Sequence, residues 1–234
     1  MLMASGLGRR FGDTVALDGL DLEVRSGEIV CLLGANGAGK TTTINLFLGF
    51  ISPTAGSLRV DGIDPATRAR EARARVAYLP EQVALYPALT GLENLAFFQR
   101  LADGQARNAD ALTTALARVG LDPDAANRRV ATYSKGMRQK VGLAIALARD
   151  CGALLLDELM SGLDPRAANE FTALLGTLRE QGMAVLMATH DIFRAREAGS
   201  RVGIMKRGRL VADLDTGALS PAELERVYLE HMHD

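Results

Sequence analysis

The sequence predicts an α/β fold: a mainly parallel sheet flanked by helices, an antiparallel β portion near the N-terminus, and a helical insert in the middle of the chain. Three short apolar runs, EIVCLL, ALLLDE and GMAVLMATH, favour strands that are buried on both faces. Residues 14–25 alternate apolar and polar side chains, which is typical of a half-exposed antiparallel strand. From about Leu85 to Asp150 strand patterns give way to helical ones.

The elements of the first part of the core follow one another at short intervals. A helix is expected from about Lys40 to Phe50, where Pro53 and Gly56 close it. SLRVDG then resumes the character of a strand, and VAYLP predicts another. The arginines of residues 68–75, between those two strands, indicate the solvated face of a helix rather than a binding patch.

The middle of the chain reads as consecutive helices. Thr90 and Glu93 have the spacing of a capping box, and residues 106–119 and 135–149 also have helical patterns. After these, ALLLDE and GMAVLMATH predict two strands with a helix between them, and a hairpin around Arg207 and Gly208 closes the fold. We therefore divide the chain into a core of residues 1–84 and 151–234 and a helical insert of residues 85–150.

Composition excludes some classes of partner. The net charge is −1 and the pI about 6.3, so nothing in the totals attracts nucleic acid, and we expect no nucleic-acid partner. No apolar run approaches the roughly 18 residues that a membrane-spanning helix needs. Any role at a membrane would therefore require a partner protein.

The segment GANGAGKTT, which follows the first buried strand, carries the strongest chemical signal. It matches the pattern G-x-x-x-x-G-K-[ST], in which a bare backbone turns its N–H groups toward phosphate and the next helix adds its positive end. In this pattern the lysine reaches the terminal phosphates and the next hydroxyl ligates Mg²⁺. The candidate nucleotide-binding residues are Gly34, Ala35, Asn36, Gly37, Ala38, Gly39, Lys40, Thr41 and Thr42.

Acidic and imidazole groups follow two later strands. Asp157 and Glu158 end ALLLDE, and His190 follows GMAVLMAT. Ligands of open parallel sheets gather at the carboxyl ends of the strands, so Asp157 is expected near Mg²⁺ and Glu158 near an attacking water. His190 would then contact the terminal phosphate or that water. The alternatives are an ordinary turn with chance glycines, an acidic pair that only solvates a strand end, and a histidine that only packs.

Taken in order, these motifs resemble the ATPase subunits of ATP-binding cassette (ABC) transporters, from about Phe11 to Leu214. The segment 34–42 looks like Walker A, ALLLDE like Walker B, YSKGMRQ like the family signature, and SGLD like the D-loop. The resemblance implies a P-loop NTPase fold, ATP and Mg²⁺ as ligands, and ATP hydrolysis. It assigns further roles to an adenine-stacking aromatic, a Q-loop glutamine that senses Mg²⁺, four signature residues and four D-loop residues: Phe11; Gln82; Ser134, Lys135, Gly136 and Met137; Ser161, Gly162, Leu163 and Asp164.

Two departures from the family pattern are visible. The signature LSGGQ appears as YSKGM, which keeps only Ser134 and Gly136, the hydroxyl and bare backbone expected to face a γ-phosphate. Lys135 adds a positive charge nearby. Walker B is followed by Leu159 and Met160 rather than Pro-Thr, which affects the expected geometry of the D-loop. The Y-S-K-G-M form, with LTGLENLAFFQRL, is most similar to the ABC-2-type exporter branch.

The resemblance also implies partners. Two cassettes, most simply two copies of this chain, would enclose two ATP molecules head to tail, and an integral membrane permease would dock near Gln82 to Phe98. Tyr86, Leu89, Leu92 and Phe98 would contact the permease or pack within the insert. The chain would then lie on the cytoplasmic face of the cell membrane. The alternatives are an importer subunit, a soluble cassette ATPase outside transport, and a P-loop small-molecule kinase; the transported substrate is not encoded in these motifs.

Overall fold

The structure is a computed structural model that describes residues 1–104, 107–149 and 151–232. Its larger sheet contains these strands, in chain order: β3 (Ile29–Leu33), β5 (Val76–Leu79), β6 (Ala153–Asp157), β7 (Ala184–Thr189), β8 (Arg201–Lys206) and β9 (Arg209–Asp215). Their order in the sheet is β5-β6-β7-β3-β8-β9. In this order the first five strands run parallel, whereas β9 pairs antiparallel with β8.

Strands β3, β6 and β7 are buried at every position, as expected for neighbouring strands covered on both faces. The helices that cover the sheet include α1 (Lys40–Phe47), α7 (Pro165–Glu180) and α8 (Ile192–Ala198). Two hydrophobic clusters lie on the two faces of the sheet, one around Phe47 and one around Phe171. The sequence prediction of a mainly parallel sheet flanked by helices is confirmed.

A smaller antiparallel sheet is formed by β1 (Leu2–Phe11), β2 (Thr14–Val24) and β4 (Ala55–Val60), in the order β2-β1-β4. The alternating segment 14–25 is β2, as predicted. Its central partner β1 was not predicted, and Phe11 is the last residue of that strand. Helix α1 ends at Phe47, three residues before the predicted end.

Between β5 and β6 the described residues form helices. They are α3 (Gly91–Asp103), α4 (Ala109–Arg118), the short α5 (Pro123–Ala126) and α6 (Lys135–Leu147). The capping box at the start of α3 is present, with Glu93 N–H donating to the Thr90 hydroxyl and Thr90 N–H donating to the Glu93 carboxylate. Two bounds of the sequence analysis, residue 106 and Asp150, lie outside the described residues.

The remaining elements are short or terminal. Helix α2 (Ala69–Arg73) carries the arginine-rich segment. The predicted hairpin turns at Arg207 and Gly208, both of which have positive φ. Helix α9 (Pro221–Met232) was not predicted, and Lys206 Nζ donates to the carbonyl of His231 at its end, 2.7 Å away.

Candidate nucleotide-binding site

The topology brings the predicted chemistry to one edge of the large sheet. Strand β7 lies between β3 and β6, and all three run parallel, so their carboxyl ends meet at the same edge. The glycine loop follows β3, Glu158 follows β6, and His190 follows β7. Backbone hydrogen bonds hold the residues that follow these strands in place. Gly34 N–H donates to Thr189 O at 3.3 Å, and Glu158 N–H donates to Ala188 O at 3.0 Å.

Glycine is required at different positions of the loop for different structural reasons. A Cβ on Gly34 would lie 2.5 Å from Met205 O, and a Cβ on Gly39 would lie 2.8 Å from Ala16 O, so both positions exclude a side chain. Gly37 and Gly39 also have φ values of 82° and 109°, in the left-handed region that favours glycine. A Cβ on Gly37 would meet nothing within 4 Å. Its backbone therefore borders open space in which a phosphate group can be received.

Lys40 is 5% exposed, although it is charged. Its Nζ donates to Gly34 O at 2.5 Å and to Ala35 O at 3.2 Å, and lies 3.5 Å from Glu158 Oε1. A buried ammonium is stable only where such acceptors replace water. The loop thus holds a desolvated positive charge beneath its exposed backbone at residues 35–37.

Thr41 and Asp157 form a hydrogen-bonded pair, in which the Thr41 hydroxyl donates to Asp157 Oδ1 at 3.2 Å. Burial is the main cause that raises the pKa of Asp157; the negative charge of Glu158 acts in the same direction, while the Thr41 hydrogen bond and Lys40 oppose it. A cation bound at Asp157 would offset the free-energy cost of ionising this buried carboxyl group. One carboxylate, one hydroxyl and substrate phosphate form a donor set that Mg²⁺ accepts, so the residues fit the expected metal.

Glu158 occupies a strained backbone conformation, with φ of 50°. Its Oε2 lies 2.9 Å from His190 Nδ1, while its Oε1 faces Lys40. The Glu158 side chain is 15% exposed and that of His190 is 56% exposed. A carboxylate, an imidazole and an ammonium therefore form one connected group that opens to solvent on the side of His190.

Phe11 is 46% exposed at the end of β1, and the guanidinium of Arg9 lies 4.4 Å from the centre of its ring. Arg9 is itself held by its bond to Ser52 O, at 2.6 Å. Arg9 was not among the residues predicted from the sequence. Arg9 precedes Phe11 by two positions, a spacing that places both side chains on one face of a strand. This spacing is the sequence signal by which Arg9 could have been found.

The signature residues lie at the start of α6. Ser134 is the exposed N-cap, and its hydroxyl accepts from Met137 N–H at 3.3 Å. Gly136 is buried, and a Cβ there would lie 3.3 Å from the Cβ of Ala167. The ammonium of Lys135 donates to Ser161 O at 2.5 Å, so it contacts the D-loop of its own chain.

The remaining predicted residues lie in two loops. Ser161, Gly162 and Leu163 lead from β6 to α7, which Asp164 caps by accepting from Ala167 N–H at 2.9 Å. Gln82 is exposed in the bend after β5. No hydrogen bond joins Gln82 to Thr41 or Asp157 in the part of the chain that the structure describes. Its predicted metal contact thus stays a prediction.

Comparison with known proteins identifies the family. The family model for ABC transporters matches residues 17–161, which include the glycine loop, the signature segment and the acidic pair. The chain belongs to the ABC transporter family. Within this family the cassettes are ATPases, so the site described above is that of an ABC ATPase, with ATP as its substrate.

Curated relatives of this ABC ATPase include an export ATP-binding protein and a drug-resistance ATP-binding protein. It is 37% identical over 216 residues to Nod factor export ATP-binding protein I of Burkholderia lata, covering 92% of this chain and 71% of the relative. It is 34% identical over 231 residues to the daunorubicin/doxorubicin resistance ATP-binding protein DrrA of Streptomyces peucetius, covering 98% and 70% of the two chains. The compounds in these names are stated of those proteins and not of this chain.

A solved structure supports the fold of this ABC ATPase. The ATP-binding cassette MJ0796, solved as a dimer in a post-hydrolysis state with ADP and Pi, superposes with a TM-score of 0.80 at 26% identity, covering 92% of this chain and 99% of that one. Among the described helices of our chain, none is both long and apolar enough to cross a membrane.

Proposed function

We propose that this chain is the ATP-hydrolysing motor subunit of an exporter of the ABC-2 type, acting through a separate membrane subunit. The observation that carries the proposal is the connected group at one sheet edge, in which Lys40, Glu158 and His190 lie beside the Thr41–Asp157 pair. The comparisons with exporter components support the direction of transport.

The chain's own residues divide the work of hydrolysis. Backbone N–H groups of residues 34–42 and the ammonium of Lys40 would hold the phosphates. Glu158 would orient a water and accept its proton, and His190, 2.9 Å away, would hold that carboxylate and contact the terminal phosphate. Phe11 would stack on adenine with its exposed face. Thr41, Asp157 and Gln82 would hold Mg²⁺, which neutralises charge that develops on the phosphate oxygens.

The second cassette completes the site. Ser134 is exposed at a helix N-terminus, but it lies on a different segment from the glycine loop of its own chain. We infer that two copies pair head to tail, so that Ser134 and Gly136 of each copy face the γ-phosphate held by the other. Residues 161–164 would line the same interface. Loss of γ-phosphate would then release the closed pair.

The membrane subunit would dock between the core (1–84 and 151–234) and the proposed helical insert (85–150). A cavity of about 620 Å³ opens there, lined by Phe50, Arg73, Phe98 and Ile145 among others. Nearby Leu101 is 72% exposed. An exposed apolar groove with a cationic rim suits a short amphipathic helix. We place this contact, and hence the chain, at the cytoplasmic face of the membrane.

Tyr86 and Leu92, two other predicted contacts, differ in exposure. Tyr86 is 49% exposed and packs edge-on against Phe97 with ring centres 4.9 Å apart. Leu92 is half-buried against the hydrophobic core. Tyr86 therefore remains a candidate for docking, whereas Leu92 contributes to packing within the helices.

Co-expression with a candidate polytopic membrane protein, sought in the neighbouring reading frames, tests the proposal. We expect the two to co-purify from detergent-solubilised membranes, and Leu101→Arg to abolish co-purification while ATP binding by the isolated chain persists. Co-purification that is unaffected by Leu101→Arg would move the docking surface elsewhere. Failure to co-purify with any such membrane protein, with ATP hydrolysis by the isolated chain retained, would favour the soluble alternative. In inverted vesicles, whose cytoplasmic face is outside, an exporter should drive ATP-dependent uptake of substrate. ATP-dependent efflux would indicate an importer.

A further inference from the structure

Lys135 stands where the family pattern has a glycine, and its ammonium is bound by acceptors of its own chain although its side chain is 37% exposed. Its ammonium donates to Ser161 O at 2.5 Å and lies 4.0 Å from Glu81 Oε1. A Cβ added to Gly162 would lie 3.7 Å from the same Nζ. The side chain thus connects the start of α6 to the loop after β6 and to the bend after β5.

Gln139 makes a second attachment one helical turn further along α6. It is 1% exposed, and its Nε2 donates to Leu159 O in the same loop. Positions i and i+4 of a helix lie on one face, so Lys135 and Gln139 bind residues 159–161 side by side. The close approach of Gly136 to Ala167 and Leu163 leaves little space between helix and loop. The tip of α6 is therefore fixed to this loop.

The loop leads directly to the catalytic carboxylate. Ser161, whose carbonyl accepts from Lys135, donates its N–H to Glu158 O at 3.1 Å. Glu158 has positive φ, a conformation that persists only where neighbouring bonds hold it. Its N–H is held by Ala188 O and its carbonyl by Ser161. A short path of hydrogen bonds thus joins Lys135 to the backbone of Glu158.

We propose that Lys135 is a positioning residue that couples the two ATP sites of the dimer. This inference rests on the proposed head-to-tail arrangement, in which the tip of α6 contacts the partner's ATP while Glu158 acts on the chain's own ATP. A displacement of α6 by the partner's γ-phosphate would be passed through Lys135 and Ser161 to Glu158. Lys135 would act within its own chain, and not as a charge on the partner's phosphate.

The test compares steady-state hydrolysis by Lys135→Ala, Lys135→Arg and Lys140→Ala. Lys140 is a matched control because it lies on the same helix but binds Glu170, at 2.7 Å, and Gly120 O, at 2.8 Å. For Lys135→Ala we expect kcat to fall about tenfold, as for loss of one charged hydrogen bond, and the Hill coefficient for ATP to fall toward 1. Lys135→Arg should recover most of both values, because its guanidinium can still reach a carbonyl acceptor.

Two further measurements separate this role from others. The Kd for a fluorescent ATP analogue, measured on monomer, should be unchanged in Lys135→Ala, because Lys135 is absent from the glycine loop. In a Glu158→Gln background, Lys135→Ala should still dimerise with ATP. Loss of that dimerisation would place the ammonium on the partner's phosphate and overturn the proposal, as would wild-type kcat and Hill coefficient in Lys135→Ala. Failure of the wild-type chain to bind ATP would instead refute the proposed function.

Discussion

Replacing Glu158 by Gln removes the proposed base and keeps the size and shape of the side chain. Glutamine has the same length, and its amide can still contact His190 and Lys40. In the unsubstituted chain, His190 Nδ1 lies 2.9 Å from Glu158 Oε2 and Lys40 Nζ lies 3.5 Å from Glu158 Oε1. The amide cannot accept a proton from water. We therefore expect kcat to fall by about 10² or more, which corresponds to a barrier about 2.7 kcal/mol higher.

ATP binding by Glu158→Gln should persist. The loop backbone and Lys40 are unaltered, and Lys40 loses a carboxylate that competes with phosphate for its ammonium. We expect the Kd to stay within about threefold of wild type or to tighten, because the phosphate contacts that dominate binding are retained. A fluorescence titration with an ATP analogue gives the Kd, and phosphate release at saturating ATP gives kcat.

Glu180→Gln is the control, because Glu180 is an exposed glutamate at the end of α7. It should match wild type in both assays. Equal hydrolysis by Glu158→Gln and wild type would remove Glu158 from the catalytic role. A joint loss of binding and turnover would show instead that Glu158 maintains the loop through Lys40, and the assignment as a base would fail.

Three more substitutions probe the remaining groups. Lys40→Ala should abolish tight ATP binding in calorimetry, whereas Lys140→Ala should not; unchanged affinity would count against the phosphate-loop assignment. Asp157→Asn should raise Tm near neutral pH without nucleotide, since burial raises the pKa of Asp157 and its ionisation therefore costs stability as pH rises above 3.8. This gain should vanish below that pH, where the carboxyl is protonated in both states; a Tm unchanged at every pH would refute it. Phe11→Ala should weaken ATP binding about fivefold, as for loss of one stacking pair, but leave inorganic triphosphate binding unchanged; equal weakening of both would exclude stacking.

The central sheet could be predicted because its strands are buried on both faces. The continuous apolar runs at β3, β6 and β7 favour buried strands over other structures. The glycine motif marks the carboxyl end of β3. The acidic pair and His190 could be expected at one edge of the sheet because the carboxyl ends of parallel strands share an edge. The distances among Lys40, Glu158 and His190 confirm that these side chains converge.

Other features depend on tertiary contacts that a local pattern does not contain. Strand β1 was missed because register shifts interrupt its pairing with β2, so LMASGLGRRF does not alternate regularly. Helix α9 was missed because its charged residues resemble a polar tail, although Leu224 is buried against the core. The direction of Lys135 depends on how closely the loop 159–161 approaches α6, which no residue near position 135 reveals.

Light scattering on Glu158→Gln tests the shared ATP site most directly. With ATP and without Mg²⁺ the mass should double from the 25.0 kDa of one chain, and it should not change with ADP. Adding Ser134→Arg, which places a large side chain at the exposed helix tip, should keep the protein monomeric, whereas adding Thr177→Arg on exposed α7 surface should not. A dimer that forms equally well with Ser134→Arg, or one that forms with ADP, would contradict the proposal that Ser134 of one copy and Lys40 of the other hold the same γ-phosphate.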